Sequence, residues 1–100
     1  MVRFVMLIKF TEAGIANIAK TAARADQFRA DAAAVGVTVE SILWTLGEYD
    51  GVVTLSAADA ETVAALTLHV ASRGNVRTCL LQAFKQDEFT RVLAKMPAKS

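Results

Sequence analysis

The sequence predicts an α+β chain whose elements run β-α-β-β-α-β with one short helix after them. Three observations agree on this: four short runs rich in β-branched and aromatic residues, two longer stretches with apolar residues every third or fourth position, and Gly-containing breaks between them. In Val2 to Phe10, one set of alternating positions carries Val2, Phe4, Met6, Ile8 and Phe10, and the other Arg3, Val5, Leu7 and Lys9. This is a strand with both faces apolar at its centre. Thr11 can cap a helix expected over roughly 12 to 35, with Ile15, Ile18, Ala22, Ala25, Phe28, Ala32 and Val35 as its stripe and Gly36 as its stop. The phase of that stripe is weakest around Lys20-Thr21-Ala22-Ala23, where a local break is expected. Val37 to Leu46 reads as the second strand and Val52 to Ser56 as the third. The turn residues Gly47-Glu48-Tyr49-Asp50-Gly51 join them as an antiparallel hairpin. Ser56 and Asp59 form a capping-box variant that opens the next helix, with a stripe of Ala60, Val63, Ala64, Leu66 and Val70 and an end at Gly74. Val76 to Phe84 is the fourth strand, and Asp87 to Lys95 a short last helix.

This order is the split βαβ arrangement of ferredoxin-like folds, a four-stranded antiparallel sheet with helices on one face. A single domain over residues 1–96 and a flexible tail over 97–100 are expected, since one hundred residues suit one core. The chain is 54% hydrophobic and 21% charged with one Pro, which argues against disorder. Eleven basic and ten acidic residues give a net charge of +1 with no basic block, which argues against nucleic-acid binding. One Cys and one His cannot complete a four-ligand zinc site within a chain, so no metal is expected. No heme or flavin signature is present, and no cofactor is expected. The apolar start is interrupted by Arg3 and Lys9 and lacks a small-residue cleavage site, which points to a strand, a cytoplasmic protein and no membrane span.

The helix-free face of such a sheet carries apolar residues from several strands, so a homodimer through that face is expected. The segments Trp44 to Gly51 and Gly74-Asn75-Val76-Arg77-Thr78 resemble the GYD-domain family, whose Gly-x-Tyr-Asp type of segment is matched by Gly47, Tyr49 and Asp50. The likeness extends to the opening strand, the Phe10-Thr11 exit and Ala83-Phe84. It departs at Thr21-Ala22-Ala23-Arg24, which lacks the Pro often found there. The resemblance implies a small protein of the dimeric α/β-barrel type. It transfers no biochemical activity.

Candidate ligand-binding residues are Trp44, Tyr49, Asp50, Asn75 and Arg77, with His69 and Lys9 as secondary candidates. Together they offer an aromatic face, an acid, an amide and a guanidinium, a set that can orient a small polar or anionic ligand. Each also has a plainer role. Asp50 can cap turn amides, and Tyr49 can pack at a dimer edge. Arg77 needs a carboxylate, Asp50 or Glu48, or else an anion, and local satisfaction favours the internal pair. A lone helical His69 suits a helix boundary, and Trp44 suits a core or interface anchor beside Ile42 and Leu46. Cys79 reads as a small buried hydrophobe, and Lys9 as a solvated strand end. Three functions remain open: a homodimeric small-molecule-binding or scaffold protein, a cofactor-free dimeric-barrel enzyme such as a small monooxygenase or isomerase, and a structural assembly module.

Overall fold

The computed structural model describes residues 1–98; the last two residues of the expected 97–100 tail lie outside the described residues. Strands β1 (Val2–Phe10), β2 (Thr38–Trp44), β3 (Gly51–Ala57) and β4 (Val76–Ala83) form one sheet in the order β2-β3-β1-β4. All three neighbouring pairs are antiparallel. Each β-α-β unit thus has a strand from the other unit inserted in it, the ferredoxin-like topology that the sequence predicts.

The first helical region differs from the single helix expected over 12–35. It is α1 (Glu12–Ala16), a 3-10 turn (Ile18–Lys20) and α2 (Thr21–Ala34). The break falls just ahead of the weak phase at residues 20–23 because Asn17 ends α1, its amide and its side chain both donating to Ala13 O. The chain restarts with a new phase after the turn. Phe28 and Ala32 are buried, whereas Ile15 and Ile18, counted in the expected stripe, are about half exposed at 56% and 43%.

The second helix, α3 (Ala60–Ser72), begins one turn later than a Ser56 cap would place it. Ser56 is buried within β3, opposite Arg3 and Thr38. Asp59 caps instead, its Oδ1 accepting from the Thr62 amide at 2.8 Å and the Thr62 hydroxyl at 2.9 Å. The Thr62 amide, then its hydroxyl, hold the Asp59 carboxyl below its usual pKa. A depressed carboxylate contributes stability above its unfolded pKa of ~3.9 and loses it as pH falls through the folded value. Asp59→Ala is therefore expected to unfold at a lower temperature than wild type at neutral pH, with the gap closing in acid. Circular dichroism melts across pH check this, and a gap unchanged well below pH ~3 contradicts it.

The core lies between the helices and one sheet face: Phe4 and Met6 of β1, Val53 and Leu55 of β3, Val63 and Leu66 of α3, and Phe28 and Ala32 of α2. The pleat turns Arg3, Val5, Leu7 and Lys9 to the opposite face. The cross-strand register sets Val52 and Thr54, then Leu43 of β2, then Cys79 and Leu81 of β4 beside them. Leu43 and Leu81 are exposed there. Cys79 is exposed as well, not buried as its residue type suggests, because β4 is an edge strand and alternation points it away from the helices.

The last helix, α4 (Gln86–Ala94), buries none of its residues. Glu88 ties it to the sheet through Arg3 Nη1 at 2.9 Å and also accepts from the Lys85 amide at 2.7 Å. Phe89 meets Phe84 edge to face. Its apolar residues Phe89, Val92 and Leu93, with Met96 beyond, recur at helical spacing and are all exposed. The molecule is correspondingly long, 55 × 30 × 20 Å, with a radius of gyration of 15.5 Å where a compact chain of this length has ~13 Å.

Candidate functional site

At the end of the sheet away from α4, the helices part from the strands and leave a cleft of about 110 Å³. Met6, Ile8 and Val53 form part of its floor, Phe28 and Val70 its roof, and Trp44, Asp50 and Asn75 contribute to its rim with Thr21, Arg24 and Arg73. Apolar side chains supply most of the lining, with a few polar groups at the mouth, as in small-molecule sites generally.

The hairpin loop is fastened to β1 through Asp50. Its amide donates to Ile8 O at 2.7 Å, and its Oδ2 accepts from the Phe10 amide at 2.9 Å. The loop closes on itself by Thr45 N–H to Asp50 O and Thr45 Oγ1 to Tyr49 O. Asp50 thus fills the turn-holding role while lining the cleft. Asp50→Ala leaves the Phe10 amide without this partner and is expected to cost about 1–3 kcal/mol. Urea unfolding checks it, and a change within the ~0.5 kcal/mol of ordinary surface substitutions contradicts it.

Asn75 is placed by a clamp between two chain junctions. Its carbonyl accepts from the Thr11 amide at 3.1 Å. Thr11 Oγ1 donates to Gly74 O at 2.6 Å and accepts from the Gly14 amide at 3.1 Å. Gly74 turns the chain out of α3 with φ of +80°, a conformation that favours glycine. Gly14 is buried against the Asn75 carbonyl so closely that a β-carbon there would collide with the oxygen. Trp44, half exposed, donates from Nε1 to Thr21 Oγ1 at 3.0 Å and bridges β2 to α2 across the cleft.

Three of the five sequence candidates, Trp44, Asp50 and Asn75, therefore meet at one cleft. Tyr49 and Arg77 do not line it. Lys9 and Arg77 lie directly opposite each other in the β1–β4 register, on the uncovered face. Lys9 Nζ stands 5.9 Å from the Tyr49 ring centroid, a cation–π contact rather than a merely solvated strand end. The expected internal pair of Arg77 with Asp50 or Glu48 is not formed. Alternation sends Arg77 to the uncovered face, while Asp50 is held on Phe10. Leu46 does not share a packed face with Trp44 either: it is fully exposed at the hairpin tip.

His69 sits on the outside of α3 near Arg73 Nη2 at 3.1 Å and Asp31 at 3.4 Å. Asp31 also accepts from Arg73 at 3.0 Å and from the Gln27 side-chain Nε2 at 2.9 Å. The Gln27 amide most strongly, with Arg73 and His69 adding to it, holds its carboxyl below the usual range. This cluster pins α2 to α3 beside the cleft. Among the described residues no three His, Cys, Asp or Glu side chains converge as a metal ion requires, and no helix is long and apolar enough to cross a membrane.

Sequence reasoning missed Arg24, Arg73 and Thr21. Arg24 Nη1 and Nη2 donate to Asn17 O at 3.1 Å, which also accepts from the Lys20 amide, and to Gly14 O at 3.4 Å, two carbonyls at the end of α1. Only the α1–α2 break, which turns these carbonyls toward α2, could have signalled that role.

With the hairpin, the Asn75 junction and all four strands in place, comparison with known families is decisive: the GYD domain matches residues 4–93. The chain belongs to the GYD domain family. The match takes in both rims of the cleft and most of α4. Among curated proteins, this GYD chain is 37% identical over 84 residues to the glutamine synthetase and cystathionine beta-lyase binding protein of Thermus thermophilus. The alignment covers 83% of this chain and 88% of that protein.

Proposed function

We propose that this GYD protein is a homodimeric binding module: its uncovered sheet face joins two copies, its helix-side cleft takes a small molecule, and its outer surface docks on a metabolic enzyme. The observation that carries this reading is the uncovered face. Val5, Leu7, Leu43, Val52 and Leu81 form an apolar centre across four strands, and monomers rarely leave contiguous apolar patches beyond a few hundred Å² in water. Four strands of about eight residues span a footprint on the order of 500 Å². The stripe on α4 extends it toward the ~800 Å² per partner of a standard interface.

Charge fits a two-fold partner as well. Lys9 and Arg77 stand together at one end of the face, where like charges opposite each other are unfavourable. Glu40 and Glu88 flank Arg3 at the other end. An antiparallel two-fold pairing of the sheets brings the basic end of one copy to the acidic end of the other. The name of the Thermus relative supports an enzyme as the outer partner and makes glutamine synthetase the one to test.

Light scattering is expected to give twice the chain mass of 10.7 kDa for wild type and the single mass for Leu7→Arg, which buries a charge in the interface centre. A wild-type monomer at tens of micromolar overturns the dimer. Surface plasmon resonance against purified glutamine synthetase tests the outer partner, and no binding by a folded dimer overturns that part.

A further inference from the structure

We propose that the cleft binds an aliphatic α-amino acid, with its carboxylate on Arg24, its ammonium on Asp50 and Asn75, and its side chain between Phe28 and Val53. This rests on the reading of the cleft as a ligand site and names the ligand class.

The charged head of the ligand, whose carboxylate and ammonium share one carbon, is set by the groups at the rim. Arg24 spends two of its five N–H donors on backbone carbonyls and, among the described residues, meets no carboxylate, so a full positive charge at the cleft rim stays open to an anion. Arg73, the other rim guanidinium, is already committed to Asp31. On the strand side, Asp50 uses Oδ2 for the Phe10 amide and has no hydrogen bond to Oδ1 among the described residues. The Asn75 side chain beside it makes none either, its backbone alone being engaged by Thr11. An open cation and an acceptor pair on one cleft suit a zwitterion. A simple carboxylic acid would leave Asp50 Oδ1 without a partner, and an amine would leave Arg24 unmatched.

The body of the ligand is set by size. A cavity of ~150 Å³ lined by apolar residues accepts a benzene ring; this cleft, at about 110 Å³, is smaller. A volume of this size suits a branched aliphatic side chain, and overfilling a packed site is costly. Met6, Ile8, Phe28 and Val53 provide an apolar lining with no polar side-chain atom of their own to satisfy.

The test is thermal unfolding with L-leucine, 4-methylpentanoate, 3-methylbutylamine and L-phenylalanine as probes, since a ligand of the folded state raises Tm with concentration. Leucine is expected to raise Tm, and the other three to act roughly tenfold more weakly or less. Arg24→Gln removes the anion partner and is expected to abolish the leucine shift. It also frees the carbonyls of α1, so Ala25→Leu serves as a second variant. It adds bulk to the cleft lining, breaks no side-chain hydrogen bond and is expected to abolish the shift in a chain that keeps its circular dichroism spectrum. Phenylalanine matching leucine overturns the aliphatic assignment, and either half-ligand matching leucine overturns the amino-acid assignment; both leave the cleft as a ligand site. No shift with any probe at tens of millimolar, or a leucine shift that survives Ala25→Leu, overturns the cleft reading itself.

Discussion

Leu55→Ala is expected to remove about 2–5 kcal/mol of stability, enough to place a domain of this size near its folding limit. Leu55 has no exposed surface. It pairs with Phe4 and Val39 across β3 and belongs to the core cluster beneath α2 and α3. Truncating it costs the transfer energy of the lost methyl groups and leaves a void that the strands on either side cannot close without shifting register. The midpoint of urea unfolding reads the loss. Leu43→Ala is the internal comparison: same chemistry, next strand, opposite face, 59% exposed. In a monomer that change stays within about 0.5 kcal/mol; across a dimer interface it grows with dimer dissociation. A Leu55→Ala loss below about 1 kcal/mol contradicts the packing described.

Gly14→Ala is expected to be nearly as damaging, by about 2–3 kcal/mol, although alanine is the better helix former. The added methyl group runs into the carbonyl oxygen of Asn75, a backbone atom that cannot rotate away. Relief requires separating the β1–α1 junction from the α3–β4 junction, which breaks the Thr11 to Asn75 hydrogen bond and the Thr11 contact with Gly74. On a chain of this length, such a loss lowers Tm by roughly 8–20 °C. A Gly14→Ala protein as stable as wild type means that the two junctions are not clamped. Because Asn75 forms part of the cleft rim, the same variant should also respond less to any ligand of the cleft.

What the sequence reveals follows from how local each signal is. The strands are legible because alternation and β-branching act residue by residue; β1 and β4 fall within one residue of expectation. Asp50 is legible for the same reason, since turn chemistry is local. Gly14 is not, because a glycine in a helical stretch looks like a weak position until Asn75 is brought against it from 61 residues away. Arg24 and Arg73 sit where helical periodicity reads solvent, and only the parting of helices and sheet turns them into a rim. Arg77 misleads in the opposite sense. It lies near Asp50 in any sketch of the turn, but the β1–β4 register and the pleat place it on the other side of the sheet, next to Lys9.

The strand order has a consequence for how the molecule comes into being. The first strand to leave the ribosome, β1, lies in the middle of the sheet and pairs only with residues 51–57 and 76–83. It stays without a partner until β3 has been made and is flanked on both sides only once β4 arrives. Pairings so distant in sequence close slowly, because the entropy of a long loop is lost before any contact repays it. Met6 and Ile8, which line the cleft, belong to that late-completed strand, while Asn75 and Val76 arrive with its last neighbour. The cleft is therefore complete only once β4 is paired, and a molecule bound in it would favour finished chains over partly paired precursors.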